Sequence, residues 1–169
     1  MLPWIFVIGV AAGLMLPSVR QWYDGTLPSR PSVERPLDRD TELIVSAAAT
    51  SGGRHAVDVL RTIDGDTFEA RIHLRSDLVM VTRVRLRGID APELKAACAS
   101  EFQMARAALS ALRKLLAEGE VAIFNIGPDK YSGRIVADAA TRLTPSVSDA
   151  LLTAGHARRY GGGHRDGWC

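Results

Sequence analysis

Several features that would settle the class of this chain at a glance are missing. No internal repeat and no low-complexity tract runs through its 169 residues, which excludes solenoids and repeat arrays. No charge of one sign dominates. Lys and Arg number 21 against 19 Asp and Glu, a formal net charge of +2, far from the broad positive field of a non-specific polyanion binder. Any attraction for phosphate must therefore come from individual, locally placed cations. Cysteine is nearly absent: Cys98 and Cys169 are the only two, the minimum for one bridge. At 47% hydrophobic and 24% charged residues, the chain fills one ordinary core and is too short for two.

The N-terminal segment lacks charge altogether from Leu2 to Leu16, and Pro17-Ser18 breaks the run before Val19. Its length falls between a signal-peptide core and a spanning helix of roughly 20 residues. A clean Ala-x-Ala cleavage site is absent, so residues 1–23 are expected to form a hydrophobic helix, as a transmembrane anchor or signal segment. No Lys or Arg precedes this run, whereas Arg20, Arg30, Arg35 and Arg39 follow it; charge alone favours a cytoplasmic domain. Residues 24–54, with Pro28, Pro31 and Pro36 closely spaced, read as a flexible Pro- and Arg-rich linker. Leu43-Ile44-Val45 is its one apolar exception.

From residue 55 to 169 the pattern is that of a folded domain. Val57, Val59 and Ile63, then Phe68, Ala70, Ile72 and Leu74, alternate as half-buried strands do. A third strand covers Val79 to Ile89, with Val84 and Leu86 on one face and Arg83, Arg85 and Arg87 on the other. A solvated outer face is the plain explanation of those arginines. A helix is expected to open at Ser100, with Gln103 completing a capping box and Phe102, Ala105, Leu109, Leu112 and Leu116 along its stripe, and to close at Gly119. Val121 to Ile126 and Ile135 to Ala140 read as two further strands, and a second helix runs from Ser146 to Gly155. Five strands with a helix after the third imply a small, β-rich α+β barrel.

Two acidic clusters stand at strand ends. Asp64-Gly65-Asp66-Thr67 joins the first two strands, and an Asp-Gly pair suits the positive φ values of a tight turn. Gly88-Ile89-Asp90-Ala91-Pro92-Glu93 ends the third strand. If the two ends converge, Asp66 and Asp90 repel unless a hard cation sits between them, and oxygen ligands suit calcium or magnesium.

These residues resemble the thermonuclease family, the staphylococcal-nuclease-like OB-fold phosphodiesterases, with an Asp-Gly-Asp-Thr turn, an Arg-bearing strand and an Asp-x-Pro-Glu end. The later family loop, Asp-Lys-Tyr-Gly-Arg, appears as Asp129-Lys130-Tyr131-Ser132-Gly133-Arg134, with Ser132 as an extra residue. The resemblance covers about Val57 to Tyr160 and implies a five-stranded OB-fold barrel with two or three packed helices, preceded by the hydrophobic helix. It implies that Asp66, Asp90 and the backbone carbonyl of Ala91 hold Ca2+, with Mg2+ or Mn2+ fitting the same oxygens, and that Asp64 supports them. It also implies that Arg85 and Arg134 bind phosphate, that Glu93 handles the attacking water, and that Lys130, Tyr131 and Tyr160 contact the nucleotide. Guanidinium suits the phosphate role because its paired donors match two oxygens at once.

The function expected on this basis is a metal-dependent endonuclease acting on DNA or RNA. Its alternative is a catalytically inactive OB-fold nucleic-acid-binding module. A Cys98–Cys169 disulfide is expected to tie down the glycine-rich tail, which places the domain outside the cytoplasm, anchored or exported, as a monomer with the membrane as a partner. The competing use of these cysteines, a metal site with His156 and His164, lacks the short-range ligand pairs of structural zinc.

Overall fold

Alternating burial along the first strands shapes the fold. Phe68, Ala70 and Ile72 are fully buried, whereas Arg71 and His73 between and beyond them face water. The computed structural model describes residues 36–51 and 53–169. The chain divides after Val33, and all described residues belong to the second unit, Glu34–Cys169. Along it run α1 (Pro36–Ser51), β1 (His55–Thr62), β2 (Thr67–Arg75), β3 (Leu78–Leu86), β4 (Ile89–Asp90), α2 (Ala99–Leu116), β5 (Ala122–Pro128), β6 (Arg134–Ala140), α3 (Val147–Thr153) and β7 (Arg158–Arg159).

Five strands close into a barrel in the order β1-β2-β3-β6-β5. Every pairing is antiparallel except β3 with β6, where Arg85 lies opposite Val136 in a parallel ladder. With its three helices this is an OB-fold-like architecture, as expected. Closure leaves the barrel without an open edge. A separate two-residue ladder, β4 with β7, pairs Ile89 with Arg159 and Asp90 with Arg158. It brings the C-terminal end of the domain to the acidic end of β3.

The expected N-terminal hydrophobic helix falls on residues 1–23, outside the described residues. Among the described residues no helix is long and apolar enough to cross a membrane. The expected transmembrane anchor, membrane partner and membrane-anchored location are corrected to that extent: no described helix provides them. Part of the stretch read as linker is helical: in α1, Thr41, Ile44 and Ala48 are buried at helical spacing, and the helix packs on β5 and β2. Its buried stripe is only three residues wide in sequence, too short to stand out between prolines and charges.

The helix α2 differs from expectation at its start. Cys98, not Ser100, is the N-cap, and no side chain caps it. Glu101 turns back instead, accepting from the Ala97 N–H at 2.8 Å. The buried stripe is Glu101, Ala105, Ala108, Leu112 and Leu116, while Phe102 stands 44% exposed. At α3 the Ser146 hydroxyl caps the Asp149 N–H as the sequence implies.

Small residues on α2 let the first acidic turn dock against it. Gly65 does not adopt a positive φ, so its role is not the turn conformation expected of Asp-Gly. A Cβ on Gly65 would lie 2.6 Å from the Ala108 Cβ and 2.8 Å from the Ala91 Cβ. The glycine is required by the close approach of three segments. Gly65→Ala is therefore expected to destabilise the fold by about 1–3 kcal/mol through overpacking, read as a lowered midpoint in chemical denaturation; an unchanged midpoint would show that this contact has room.

A carboxylate and guanidinium cluster at the barrel rim

The two acidic strand ends meet. The turn after β1 closes through the Ile63 N–H to the Thr67 carbonyl, 2.9 Å, and the Leu86 N–H donates to the Asp66 carbonyl at 2.8 Å. These bonds carry Asp66 to the end of β3. Gly88, at φ 77°, turns the chain so that Asp90 enters from the other side. Both carboxylates are buried, with 2% and 1% exposure for Asp66 and Asp90.

What compensates them is arginine. Arg85, only 8% exposed, donates to Oδ1 of Asp66 at 2.8 Å and lies 3.6 Å from Oδ1 of Asp90. The strand alternation had put Arg85 on a solvated face; Asp66 and the Ile89–Asp90 segment cover that face here. Arg158 of β7 donates to Oδ2 of Asp90 at 3.1 Å. The third guanidinium belongs to Arg165 in the tail. Its Nε is 2.6 Å from Oδ1 of Asp90, one terminal nitrogen is 4.0 Å from Oδ2 of Asp66, and the other donates to Glu93 at 2.7 Å. Oδ1 of Asp90 accepts no well-oriented hydrogen bond despite these cations, so its contact with Arg165 is an ion pair rather than a directed bond.

Other groups complete the floor. The Thr67 hydroxyl and the Ala91 N–H donate to Asp66 at 2.8 and 3.2 Å, and Asp64 accepts from the Asp66 N–H at 3.3 Å. The Trp168 indole donates to Oδ2 of Asp90 at 3.1 Å while its ring lies under Arg158. The Cys98–Cys169 disulfide is formed, with the Cα atoms 6.1 Å apart.

Above this floor opens a groove of about 760 Å³, lined by Arg85, Glu93, Arg134, Lys130, Tyr131 and Tyr160 among others. Arg134 donates to Asp129 at 2.7 Å and lies against the Tyr131 ring. The extra Ser132 is accommodated beside Gly133, which takes φ 72°. Every site residue singled out from the sequence is thus on or just beneath one rim. Arg158, Arg165 and Trp168 were missed. The signal for them was indirect: Asp66, Asp90 and Glu93 needed positive partners beyond Arg85, and the predicted bridge brought an Arg- and Trp-bearing tail to their side.

The arrangement corrects the metal-dependent reading. The group of side chains able to offer a metal three close ligand atoms, among the described residues, is Cys98, Glu101 and Cys169, within 4.8 Å of one another. Both sulfurs are bridged, which also disposes of the cysteine and histidine site. In principle this group could coordinate an ion, and nothing in it selects calcium. Asp66 and Asp90 do not fit an ion in this state, because Arg165 takes the position between them. Metal-dependent hydrolysis by a membrane-tethered domain is accordingly set aside.

Burial pushes the Asp66 carboxyl up to about 6, with Arg85 opposing and Asp64 adding to the rise. On Arg165, burial opposes the charge, but Glu93, Asp90 and Asp66 outweigh it and hold the guanidinium above its usual value. For Asp66 the native state binds its proton more tightly than the unfolded chain. Its contribution to stability is therefore present at low pH and is lost as pH rises between the ordinary carboxylate value and about 6. The Asp58, Glu69 and Glu118 carboxyls are lowered and slope the other way, so comparison with Asp66→Asn isolates the effect. Between pH 4 and 7 the variant is expected to gain stability relative to wild type, by roughly 3 kcal/mol at most; parallel pH profiles of denaturation midpoint would refute the shift.

Comparison with curated proteins finds no match. Residues 83–166 match the family model described as Staphylococcal nuclease homologue. The match begins within β3 and ends just before Trp168, so it includes Asp90, Glu93, Arg134 and Arg165 but not the Asp64 to Asp66 turn. From Arg83 to Asp166 the chain is therefore similar to the Staphylococcal nuclease homologue family.

Proposed function

We infer that this domain is an OB-fold nucleic-acid-binding module, one that holds a single-stranded phosphodiester backbone in the rim groove without metal-dependent cleavage. The observation that carries the reading is the internal neutralisation of Asp66, Asp90 and Glu93 by Arg85, Arg158 and Arg165. With the acids matched from inside, the cations lining the groove are left to act on an outside anion. Apart from Arg85, Arg165 and Glu93, which are matched within the cluster, Arg83, Arg87, Lys130 and Arg134 line it against Asp64 and Asp129. Four cations against two carboxylates give the local positive field that the bulk composition lacks.

Aromatic rings supply the second element of single-strand recognition. Tyr131 is 58% exposed, and Tyr160 lines the same groove. Bases stack on such rings with little regard to sequence, while Arg and Lys track the phosphates. Lys130 and Arg134 lie 5.2 and 5.0 Å from the centre of the Tyr131 ring, so a base stacked there has phosphate donors close by.

Fluorescence anisotropy with labelled single-stranded DNA and RNA, using the full chain under non-oxidising, non-reducing buffer, tests this. Lys130→Ala is expected to weaken binding of all sequences alike and to reduce the salt slope by about one. Tyr131→Ala is expected to cost about 1–3 kcal/mol, the worth of a stacked base. No oligonucleotide should be shortened when calcium is added to the disulfide-bonded protein. Calcium-stimulated cleavage that a chelator abolishes would overturn the reading, as would binding that neither substitution changes.

A further inference from the structure

The tail that supplies Arg165 has little apolar burial to hold it. Gly161, Gly162 and Gly163 lead into it, all exposed, with Gly162 and Gly163 at φ 99° and 87°. Ordering glycine costs more backbone entropy than ordering any other residue. Against this stand a few polar contacts: the Tyr160 hydroxyl donates to the Gly163 carbonyl at 2.7 Å, Arg158 donates to the carbonyls of Gly167 and Asp166, and Trp168 donates to Asp90. The Cys98–Cys169 bond fastens the far end across a sequence separation of 71. Cys169 is exposed and Cys98 partly so, which leaves the bond open to reductant.

Charge at the groove floor depends on this tail. Docked, Arg85, Arg158 and Arg165 match Asp66, Asp90 and Glu93. Without Arg165, three carboxylates face two guanidiniums. Glu93, whose carboxylate Arg165 holds, then faces the groove unmatched, beside the position of a bound phosphate.

We propose that the Cys98–Cys169 disulfide is a redox latch that sets the groove's affinity for nucleic acid by keeping Arg165 on the Asp66, Asp90 and Glu93 carboxylates. The proposal rests on the binding reading above and adds its control. A dithiol reductant passes two electrons to the sulfur–sulfur bond, which breaks. Cys98 and Cys169 each take up a proton as thiols, and the reductant's own thiols become a disulfide. The tail then leaves, the groove loses a cation, and uncovered carboxylates repel phosphate.

Two measurements on the full chain, before and after dithiothreitol, separate the parts. Hydrogen exchange of the Trp168 indole N–H, which donates to Asp90, reads tail release, with barrel amides in β2 and β3 as a check on folding; anisotropy reads single-stranded DNA affinity. Reduction is expected to remove protection from the tail alone and to weaken binding about tenfold, the scale of one charged contact. Cys98→Ser, or Cys169→Ser should the first fold poorly, is expected to match the reduced protein in both readouts without reductant. Arg165→Gln with the bridge intact is expected to weaken binding similarly while the tail stays protected. Tail protection that survives reduction would overturn the latch. Release of the tail with unchanged affinity would overturn the gating. If the oxidised protein binds no nucleic acid, the binding reading falls and the gating with it, while tail exchange still reports separately on whether the bridge holds Arg165.

Discussion

Two buried carboxylates that share the Arg85 guanidinium are the constraint around which this domain is arranged. An unpaired buried charge costs several kcal/mol, and two like charges cost more. The fold must therefore deliver positive partners to Asp66 and Asp90, and it does so from three places. Arg85 comes from β3, adjacent to both acids in the barrel. Arg158 comes from β7, which is why a two-residue ladder with β4 exists at all: Asp90 is itself a ladder partner of Arg158. Arg165 comes from the tail, which is too rich in glycine to stay in place unaided and is fastened by the disulfide. The approach of Gly65 to Ala91 and Ala108 belongs to the same requirement, because it seats the turn that carries Asp66.

The sequence disclosed this arrangement unevenly, for physical reasons. Strands with strict alternation, such as Phe68 to Leu74, were legible because a single face is buried. The two acidic motifs were legible as strand ends, and their meeting followed from the barrel. The pairing of the two cysteines was legible because only one pair exists. Arg85 was harder: alternation assigned it to water, since period-two reasoning does not register other segments, here Asp66 and Ile89–Asp90, covering a strand's outer face. Glu101 went unremarked because nothing local reveals that its carboxylate caps the preceding loop. α1 was hidden in a proline-rich stretch, since Ile44 and Ala48 alone among its apolar residues are fully in the core, with Val45 and Ala47 half-buried beside them. Arg165 was the least legible, because its role depends on a contact between residues more than seventy positions apart, visible only once the chain is closed.

The identity of the cation between the carboxylates decides which chemistry the rim performs. A divalent ion would neutralise the acids and also bind water or a phosphate oxygen through open coordination positions, lowering the pKa of that water. Guanidinium groups, one charge each, neutralise the same acids in number, but their donors lie in one plane and they have no coordination position for water. Arg165 spends those donors on Asp90 and Glu93. The residue that the family pattern assigns to the attacking water, Glu93, is thereby held in an ion pair rather than left to accept a proton. The same substitution leaves the groove's phosphate-facing cations and its exposed tyrosine untouched. On the proposed reading, binding without metal-dependent cleavage follows from one exchange, a tethered organic cation on the carboxylates where a mobile inorganic one would otherwise be required.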